Sequence, residues 1–277
     1  MTGAIFDKHA RFLEALGCLE EPMAVFYTDK KPETGFSPEK CKLPTAKDEE
    51  TGNVDFQELL ETYCCGLREL RLARKKKTIA WFGPENFGCQ GGAFSLGYVK
   101  PQIEMVACVI STGIPGIREG ELYQESPQAV RYFFNTLDPR PAPAPYIVFK
   151  PFSQLAQDEE PELVAFFCRP EIASGLHQLA VFVTNDMEAV MSPFGAVCGN
   201  LVAWPLHYLA RGKEKAVLGG WDPSGRKYMD VDEITFSMPF SLYRKMLDRW
   251  QESFITAMEW SIVKKRIAKS NKAWTKG

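Results

Sequence analysis

The feature that most constrains this chain is the alternation of short apolar runs with longer segments of helical periodicity. PMAVFYT at 22–28 and YIVFK at 146–150 are rich in β-branched and aromatic residues, as strands are. Segment 5–19 places apolar residues three and four positions apart, as amphipathic helices do. Ser126-Pro127 begins a predicted helix that runs through Leu137, because a capping residue followed by proline is typical of a helix start. The pattern predicts an α/β or α+β fold, a mixed sheet with helices packed on it. Because the alternation is irregular, it argues against a regular Rossmann fold or barrel.

The length of 277 residues allows one large domain or two small ones. The stiff PRPAPAP segment at 139–145 is the best candidate for an internal seam, although a connection of this length is also ordinary. The polar stretch 29–53 is predicted to be a long loop, either a flap over a pocket or an ordinary surface excursion. The basic tail 261–277 is predicted to fray from the last helix or to extend it. The other predicted elements are strands at 78–82, 104–111, 162–168, 215–221 and 234–238, and helices at 55–77, 89–98, 170–183, 197–209 (interrupted by Pro205) and 241–259.

The charge balance argues against nucleic acid and membranes as partners. A formal net charge of −2 gives the whole protein no electrostatic reason to bind nucleic acid or an anionic membrane. The four basic residues at 74–77 end a predicted helix, where cations complement the helix dipole, and no aromatic residue is interleaved with them. No apolar run approaches the roughly 20 residues of a membrane-spanning helix. Charged residues interrupt the N-terminal segment 1–17, which excludes a signal peptide there, so the chain is predicted to be cytoplasmic.

The chain contains eight cysteines, a number that needs an explanation in a compartment where disulfides are rare. Cys108 and Cys168 fall in apolar runs, and we interpret them as small core residues. No C-x-x-C pair, dinucleotide-binding glycine fingerprint, P-loop or G-x-S-x-G elbow occurs. The sequence therefore lacks the motifs of ferredoxins, of the common nucleotide sites and of serine hydrolases, and the remaining cysteines become the candidates for chemistry.

Glycines crowd around one of these cysteines in the segment 63–98. Gly91, Gly92 and Gly97 follow Cys89 within a few residues. Glycine has no Cβ, so it lets the backbone approach a ligand or another element closely. We predict that these three glycines form a cofactor- or ligand-binding corner next to the cysteine.

Four cysteines lie beside small residues or turns: Cys64 and Cys65 in CCG, Cys89 in GCQGG, and Cys198 in VCGN. Thiolates bind soft metals and iron–sulfur clusters, and nearby amides donate hydrogen bonds to the sulfur. Cys89, Cys198 and either Cys64 or Cys65 are therefore predicted to hold an iron–sulfur cluster in a redox role, provided that the fold brings them together. The partner would be a small-molecule ligand or a redox partner protein, and self-association into a homo-oligomer is left open. A rival hypothesis makes Cys89 the nucleophile of a thiol enzyme, because a helix N-terminus lowers a thiol pKa.

Arg226 lies close in sequence to the acidic residues Asp230, Asp232 and Glu233. Such a charged run is commonly a solvated face whose local ion pairs contribute little to stability. The alternative is an anion clamp, because a guanidinium recognises carboxylates and phosphates with two parallel hydrogen bonds. A clamp at Arg226 would make the protein a non-enzymatic ligand-binding or regulatory module.

Five motifs follow one another along the chain: C-x-G-G-A-F-x-L-G at 89–97, EPELVAFFCRPEIASGLHQLAVF at 160–182, SPFGAVCGNLVAWPL at 192–206, GGWDPSGRKY at 219–228 and DEITFSMPF at 232–240. Together they resemble domain-of-unknown-function family 169, a prokaryotic family common in anaerobes, over nearly the whole chain from about 13 to 247. The resemblance implies one family-type domain over 1–277, without a settled activity. It also implies that the recurring positions are Cys89, Gly91, Gly92, Gly97, Cys198, Arg226 and Glu233.

Overall fold

The structure is a computed structural model that describes residues 3–38, 65–87, 89–98 and 103–274. A seven-stranded sheet organises these residues. Its strands are β1 Met23–Thr28, β2 Ala80–Phe82, β5 Tyr146–Pro151, β6 Leu163–Cys168, β7 Val190–Met191, β8 Ala216–Gly219 and β9 Ile234–Pro239, and a separate ribbon pairs β3 Gly113–Ile114 with β4 Arg118–Glu119. The order in the sheet is β2-β5-β1-β6-β9-β8-β7. Neighbouring strands are antiparallel except for the parallel pair β7–β8, so the predicted mixed sheet is confirmed.

Helices cover both faces of the sheet. They are α1 Gly3–Leu16, α2 Gly66–Lys76, α3 Gln90–Ser95, α4 Ile103–Ile110, α5 Pro127–Leu137, α6 Pro170–Thr184, α7 Trp204–Leu209, α8 Pro223–Arg226, α9 Phe240–Arg249 and α10 Met258–Trp274. A π-helical stretch, Gly199–Ala203, leads directly into α7, and short 3₁₀ turns occur at Phe152–Gln154, Trp250–Glu252 and Phe254–Thr256.

The central strand β6 shows why both faces must be covered. All six of its residues, LVAFFC, are buried, and successive side chains of a strand point to opposite faces. Val164, Phe166 and Cys168 join a core formed with α1, α6, α9 and α10. The residues that alternate with them join a second core, beneath α2 and the helical segment 197–209. Continuous apolar strands of this kind require helices on both sides.

A third apolar cluster extends the second core outward and fixes the position of α3. Phe94 of α3 packs edge-on against Phe134 of α5, with ring centroids 4.8 Å apart. Trp204, at the start of α7, belongs to the same cluster. The glycine corner that precedes Phe94 is therefore held between the sheet-covering helices and the outer helix α5.

Two predicted elements are wrong. The segment 104–111 forms the helix α4 and not a strand, because a short apolar run has no clear period and tertiary contacts decide its conformation. The ion pair between Glu104 and Arg131 joins this helix to α5. The predicted helix 241–259 ends at Arg249. The Ser253 hydroxyl donates to Trp250 O at 2.6 Å and accepts from Ile255 N at 3.3 Å, local bonds that compete with a continuous helix.

Some of the remaining predicted elements lie within the described residues, and others lie outside them. A helical segment does form at 197–209; the π-helical stretch comes before Pro205, and α7 runs through the proline without a break. The tail continues as α10 to Trp274. Most of the predicted 29–53 loop, the first half of the predicted 55–77 helix and Cys64 lie outside the described residues. The seam at 139–145 stays a prediction.

Candidate functional site

The corner at Cys89 is built by the backbone of α3. Cys89 is the N-cap residue of this helix, and its Sγ accepts a hydrogen bond from Gly92 N at 3.2 Å. A Cβ placed on Gly92 would lie 3.2 Å from Phe87 O, so the turn is tight, whereas a Cβ on Gly91 would meet nothing within 4 Å. The corner therefore presents a partly buried sulfur that accepts a backbone N–H, beside an open backbone at Gly91. A backbone donor of this kind stabilises negative charge on the sulfur.

Gly97 has a structural explanation. Its φ is +79°, and a Cβ there would lie 2.4 Å from Arg140 O. Ala142 N donates to Gly97 O at 2.9 Å, which fastens the proline-rich connection against the end of α3. Chain packing alone therefore requires glycine at this position, and the ligand-binding role of Gly97 stays a prediction.

Cys65 is buried immediately before α2. A Cβ on its neighbour Gly66 would lie 2.5 Å from the ring of Phe82, so α2 begins directly against the end of β2. Tyr98, just after α3, donates its hydroxyl to Phe82 O at 3.1 Å. The end of β2 therefore joins the start of α2 to the end of α3.

Cys198 lies in the first turn of the helical segment 197–209, just before the π-helical stretch. A Cβ on Gly199 would lie 3.5 Å from Ser95 Oγ, which places this turn against α3. Val197 and Leu67 approach each other across Gly225, whose added Cβ would lie 2.6 Å from Val197 Cγ2 and 2.9 Å from Leu67 Cδ1. The residues that flank Cys198 thus contact both α3 and α2, the helices that begin at Cys89 and Cys65.

The electrostatics of Cys198 agree with these contacts. Burial raises the pKa of its thiol well above the usual range, and the negative charges of Cys65, Cys89 and Asp222 raise it further. Charge effects of this kind weaken with distance, so Cys65, Cys89 and Asp222 each lie within electrostatic range of Cys198 although they are remote in sequence. That Cys65, Cys89 and Cys198 form one ligand set stays a prediction. Sequence reasoning missed Asp222, whose only signal was its place in the GGWDPSGR motif.

The donor set constrains what kind of centre would fit. Among the residues that the structure describes, no three His, Cys, Asp or Glu side chains are arranged to hold a single metal ion. A single tetrahedral ion requires sulfurs about 2.3 Å from the metal, and hence close to one another. A multi-iron cluster separates its thiolate ligands by the width of its iron–sulfide core.

Arg226 is occupied by the backbone of its own loop. Its guanidinium donates to Val231 O at 2.7 Å, to Asp230 O at 3.2 Å and to Glu233 O. These bonds fix the chain between α8 and β9. Arg226 therefore has a structural role here, and its anion-binding role stays a prediction.

Glu233 forms a buried ion pair instead of lying on a solvated face. Arg74 donates to both of its carboxylate oxygens, and the Arg74 guanidinium lies over the ring of Phe167, 3.8 Å from the centroid. Glu20 accepts a third bond from Arg74, at 2.6 Å. Burial alone would lower the pKa of Arg74, but the bonds and charges of the two glutamates raise it. The side chains of Arg74 and Glu233 are buried, whereas that of Glu20 is exposed. Sequence reasoning had assigned Arg74 only to the helix dipole.

The comparisons identify a family for the chain. No helix within the described residues has the length and apolarity needed to cross a membrane. Neither the curated proteins nor the solved structures gave a match. The model of family DUF169, described as Uncharacterised ArCR, matches residues 11–249. Because this match covers most of the 277 residues, the chain belongs to the DUF169 family.

Proposed function

We propose that Cys65, Cys89 and Cys198 bind an iron–sulfur cluster and that the protein has a redox or electron-transfer role. The observation that supports the proposal is the placement of Cys65 and Cys89 at the starts of α2 and α3, the two helices that the residues flanking Cys198 approach. The charges of Cys65 and Cys89 also act on the Cys198 thiol. Cys64, the other candidate for the third ligand, lies outside the described residues. Thiolate is the ligand that iron–sulfur clusters prefer.

The local chemistry of the thiols supports a centre that carries positive charge. Mutual repulsion makes the three thiolates costly to form together, and a bound cation would remove that cost. The Gly92 N–H already donates to Cys89 Sγ, and hydrogen bonds to ligand sulfur tune the reduction potential of a cluster. A cluster held there would supply one-electron transfer. Three cysteine ligands on a four-iron cluster would leave one iron accessible to another ligand.

Anaerobic purification tests the proposal. The wild-type protein is expected to be brown and to contain iron and acid-labile sulfide in equal amounts. Cys89→Ser, Cys198→Ser and Cys65→Ser are each expected to lose most of both, because a hydroxyl is a poor substitute for a thiolate ligand. Cys108→Ser, a partly buried cysteine on α4, is the matched control and should retain them. Colourless wild-type protein, or equal loss in the control, would contradict the proposal.

A second candidate, a reactive thiol at Cys89, is favoured by one observation. The Gly92 N–H bond to Sγ stabilises a thiolate, which is the nucleophilic form. Iodoacetamide treatment of metal-free protein distinguishes the candidates. Preferential alkylation of Cys89 together with iron-free native protein would support the thiol-enzyme function instead of the cluster.

The cellular context forms part of the same proposal. We place the protein in the cytoplasm, where reduced cysteines are the rule. Its partner there would be a redox protein or a small molecule that reaches the cluster.

A further inference from the structure

A small cavity opens where β6 ends, and none of the three thiols proposed as ligands lines it. Its volume is about 210 Å³, and its lining residues come from the turn after α1 (17–20), the end of β6 with the start of α6 (167–172), the loop before β9 (230–233) and α10 (267–271). Pockets for drug-sized ligands measure about 300–1,000 Å³. An occupant of this cavity is therefore a smaller molecule.

The buried part of the lining is apolar and contains two sulfurs. Cys18, Cys168, Phe167 and Ile172 are all buried. The Cys18 thiol donates to Glu20 O at 3.2 Å. Cys168 is only 5% exposed, and its thiol forms no hydrogen bond with a residue that the structure describes. The interior of the cavity therefore offers an apolar surface and a thiol that a ligand can contact.

The exposed part of the lining is acidic. Glu20, Glu171, Asp230 and Asp232 are exposed carboxylates that line the cavity, whereas Arg169 is the single cation among the lining residues. Carboxylates of like charge repel one another, and a cation placed among them would relieve that repulsion. The charge of the lining therefore favours a positively charged occupant.

The arginines near the cavity do not balance this charge. Arg169 lies 2.7 Å from Asp232 Oδ2 and donates to Asn271 Oδ1 at 2.9 Å, so it joins the loop before β9 to α10. Arg74 reaches the site from α2 and bonds two carboxylates with its one positive charge. Glu171 forms no ion pair with a described residue. Negative charge therefore remains in excess beside an apolar interior.

We propose that this cavity binds a small organic cation, an alkylammonium or alkylguanidinium, with its charged end among the exposed carboxylates and its apolar part against Cys168 and Ile172. Charged N–H donors form strong hydrogen bonds with carboxylates. Burial of the alkyl part adds a favourable hydrophobic contribution. A single metal ion is not the occupant, because among the described residues no three His, Cys, Asp or Glu side chains are arranged to hold one. The inference goes beyond the proposed cluster and shares no residue with it.

Isothermal titration calorimetry of the full chain with four probes of matched length tests the proposal. At pH 7, n-butylamine and n-butylguanidine are cations, 1-butanol is neutral and butyrate is an anion. We expect saturable binding of at least one cation, weakened by added salt because exposed charges are screened. The neutral and anionic probes should not bind. Equal binding of 1-butanol, preferred binding of butyrate, or no binding of either cation would overturn the proposal.

Two variants at exposed positions locate the binding, and each has a matched control. Glu171→Gln removes the unpaired carboxylate in the first turn of α6 and should weaken binding of the cation about two- to fivefold, the effect of losing an exposed ion pair. Glu259→Gln makes the same change in the first turn of α10, outside the lining, and should have no effect. Ser270→Trp fills the cavity from α10 and should abolish binding, whereas Ser261→Trp, on the same helix but outside the lining, should not.

The outcomes separate this inference from the proposed function. Equal losses in the variants and their controls would overturn the assignment of the cation to this cavity, and so would unchanged binding in Ser270→Trp. Iron and sulfide contents should be the same in all four variants as in the wild type, because the cavity lies apart from the three thiols. A wild type without iron that binds the cation would leave the cavity proposal standing and contradict only the cluster.

Discussion

The cysteines on the two sides of the sheet differ in whether their sulfurs donate or accept hydrogen bonds. Cys18 and Cys168 are buried in the core on the α1 side of the sheet, and the Cys18 thiol donates to Glu20 O at 3.2 Å. On the other side, Cys89 accepts a bond from Gly92 N. A sulfur that donates must keep its proton, whereas a sulfur that accepts is suited to losing it. The direction of the hydrogen bond therefore distinguishes a structural cysteine from a candidate ligand.

The surroundings of the two groups follow the same division. Near Cys18 and Cys168, Arg74 pairs with the carboxylates of Glu20 and Glu233. Near Cys198, the charges of Cys65, Cys89 and Asp222 raise the pKa of the thiol. The first region therefore already contains a cation for its carboxylates. In the second region, a bound cation would lower the cost of forming thiolates.

The largest expected effect on stability comes from breaking the buried ion pair of Arg74 and Glu233. Arg74→Met leaves Glu233 buried without its partner, and it should lower the free energy of unfolding by about 3–5 kcal/mol. Arg71→Met breaks a more exposed pair with Asp230 and should cost less than about 1 kcal/mol. Urea denaturation of the two variants gives both numbers. Equal losses would show that Arg74 does not form a buried pair in solution.

A pair of glycine variants sharpens the description of the corner at Cys89. Gly97→Ala combines a left-handed backbone with a clash against Arg140 O, and it should destabilise the fold by about 1–3 kcal/mol. Gly91→Ala enters open space within a helix and should raise stability by about 0.5–1 kcal/mol. Thermal or urea unfolding measures both effects. If Gly91→Ala keeps its stability but loses iron, Gly91 lines the cofactor; if iron content is unchanged, its predicted ligand role is wrong.

A third expected effect is a pH dependence that belongs to the buried thiol of Cys18. Burial raises the pKa of the Cys18 thiol from 9.0 to about 12. Between these values the folded state keeps a proton that the unfolded state has lost, so stability is complete below pH 9 and falls as the pH rises. The slope contributed by this thiol is at most about 1.4 kcal/mol per pH unit. Chemical denaturation at about pH 8 and about pH 10 (~one unit on either side of the ordinary thiol pKa of 9.0) should show a smaller loss of stability in Cys18→Ala than in wild type. An equal loss would contradict the buried, protonated thiol.

Much of the sheet could be predicted because its strands are strongly apolar and bounded by clear turns. The strands β5, β6 and β9 appear in the sequence as short apolar runs between turns. The run that forms α4 was wrongly predicted to be a strand, because its helix is selected by contact with α5 and not by its own periodicity. Local pattern decides structure only where it is unambiguous.

Local sequence identified some residues of the candidate site but not their positions relative to one another. Cys89 and Cys198 were identified from the small residues around them, and the approach of their helices depends on contacts through Gly199 and Gly225 that no local pattern encodes. The charge effect of Asp222 on Cys198 was missed because nothing in its motif marks it as a neighbour of that cysteine. Glu233 belongs to a buried ion pair that Arg74 reaches from another helix. Convergence of remote segments is a property of the fold, so sequence spacing alone cannot predict it.

The central claim is that the thiols of Cys65, Cys89 and Cys198 hold an iron–sulfur cluster. Iron K-edge X-ray absorption of anaerobically purified protein tests it most directly. The account predicts a first coordination shell dominated by sulfur, together with an iron–iron scattering shell that a single ion cannot produce, and both should disappear in Cys89→Ser. A shell of nitrogen and oxygen alone, or protein without iron, would contradict the claim.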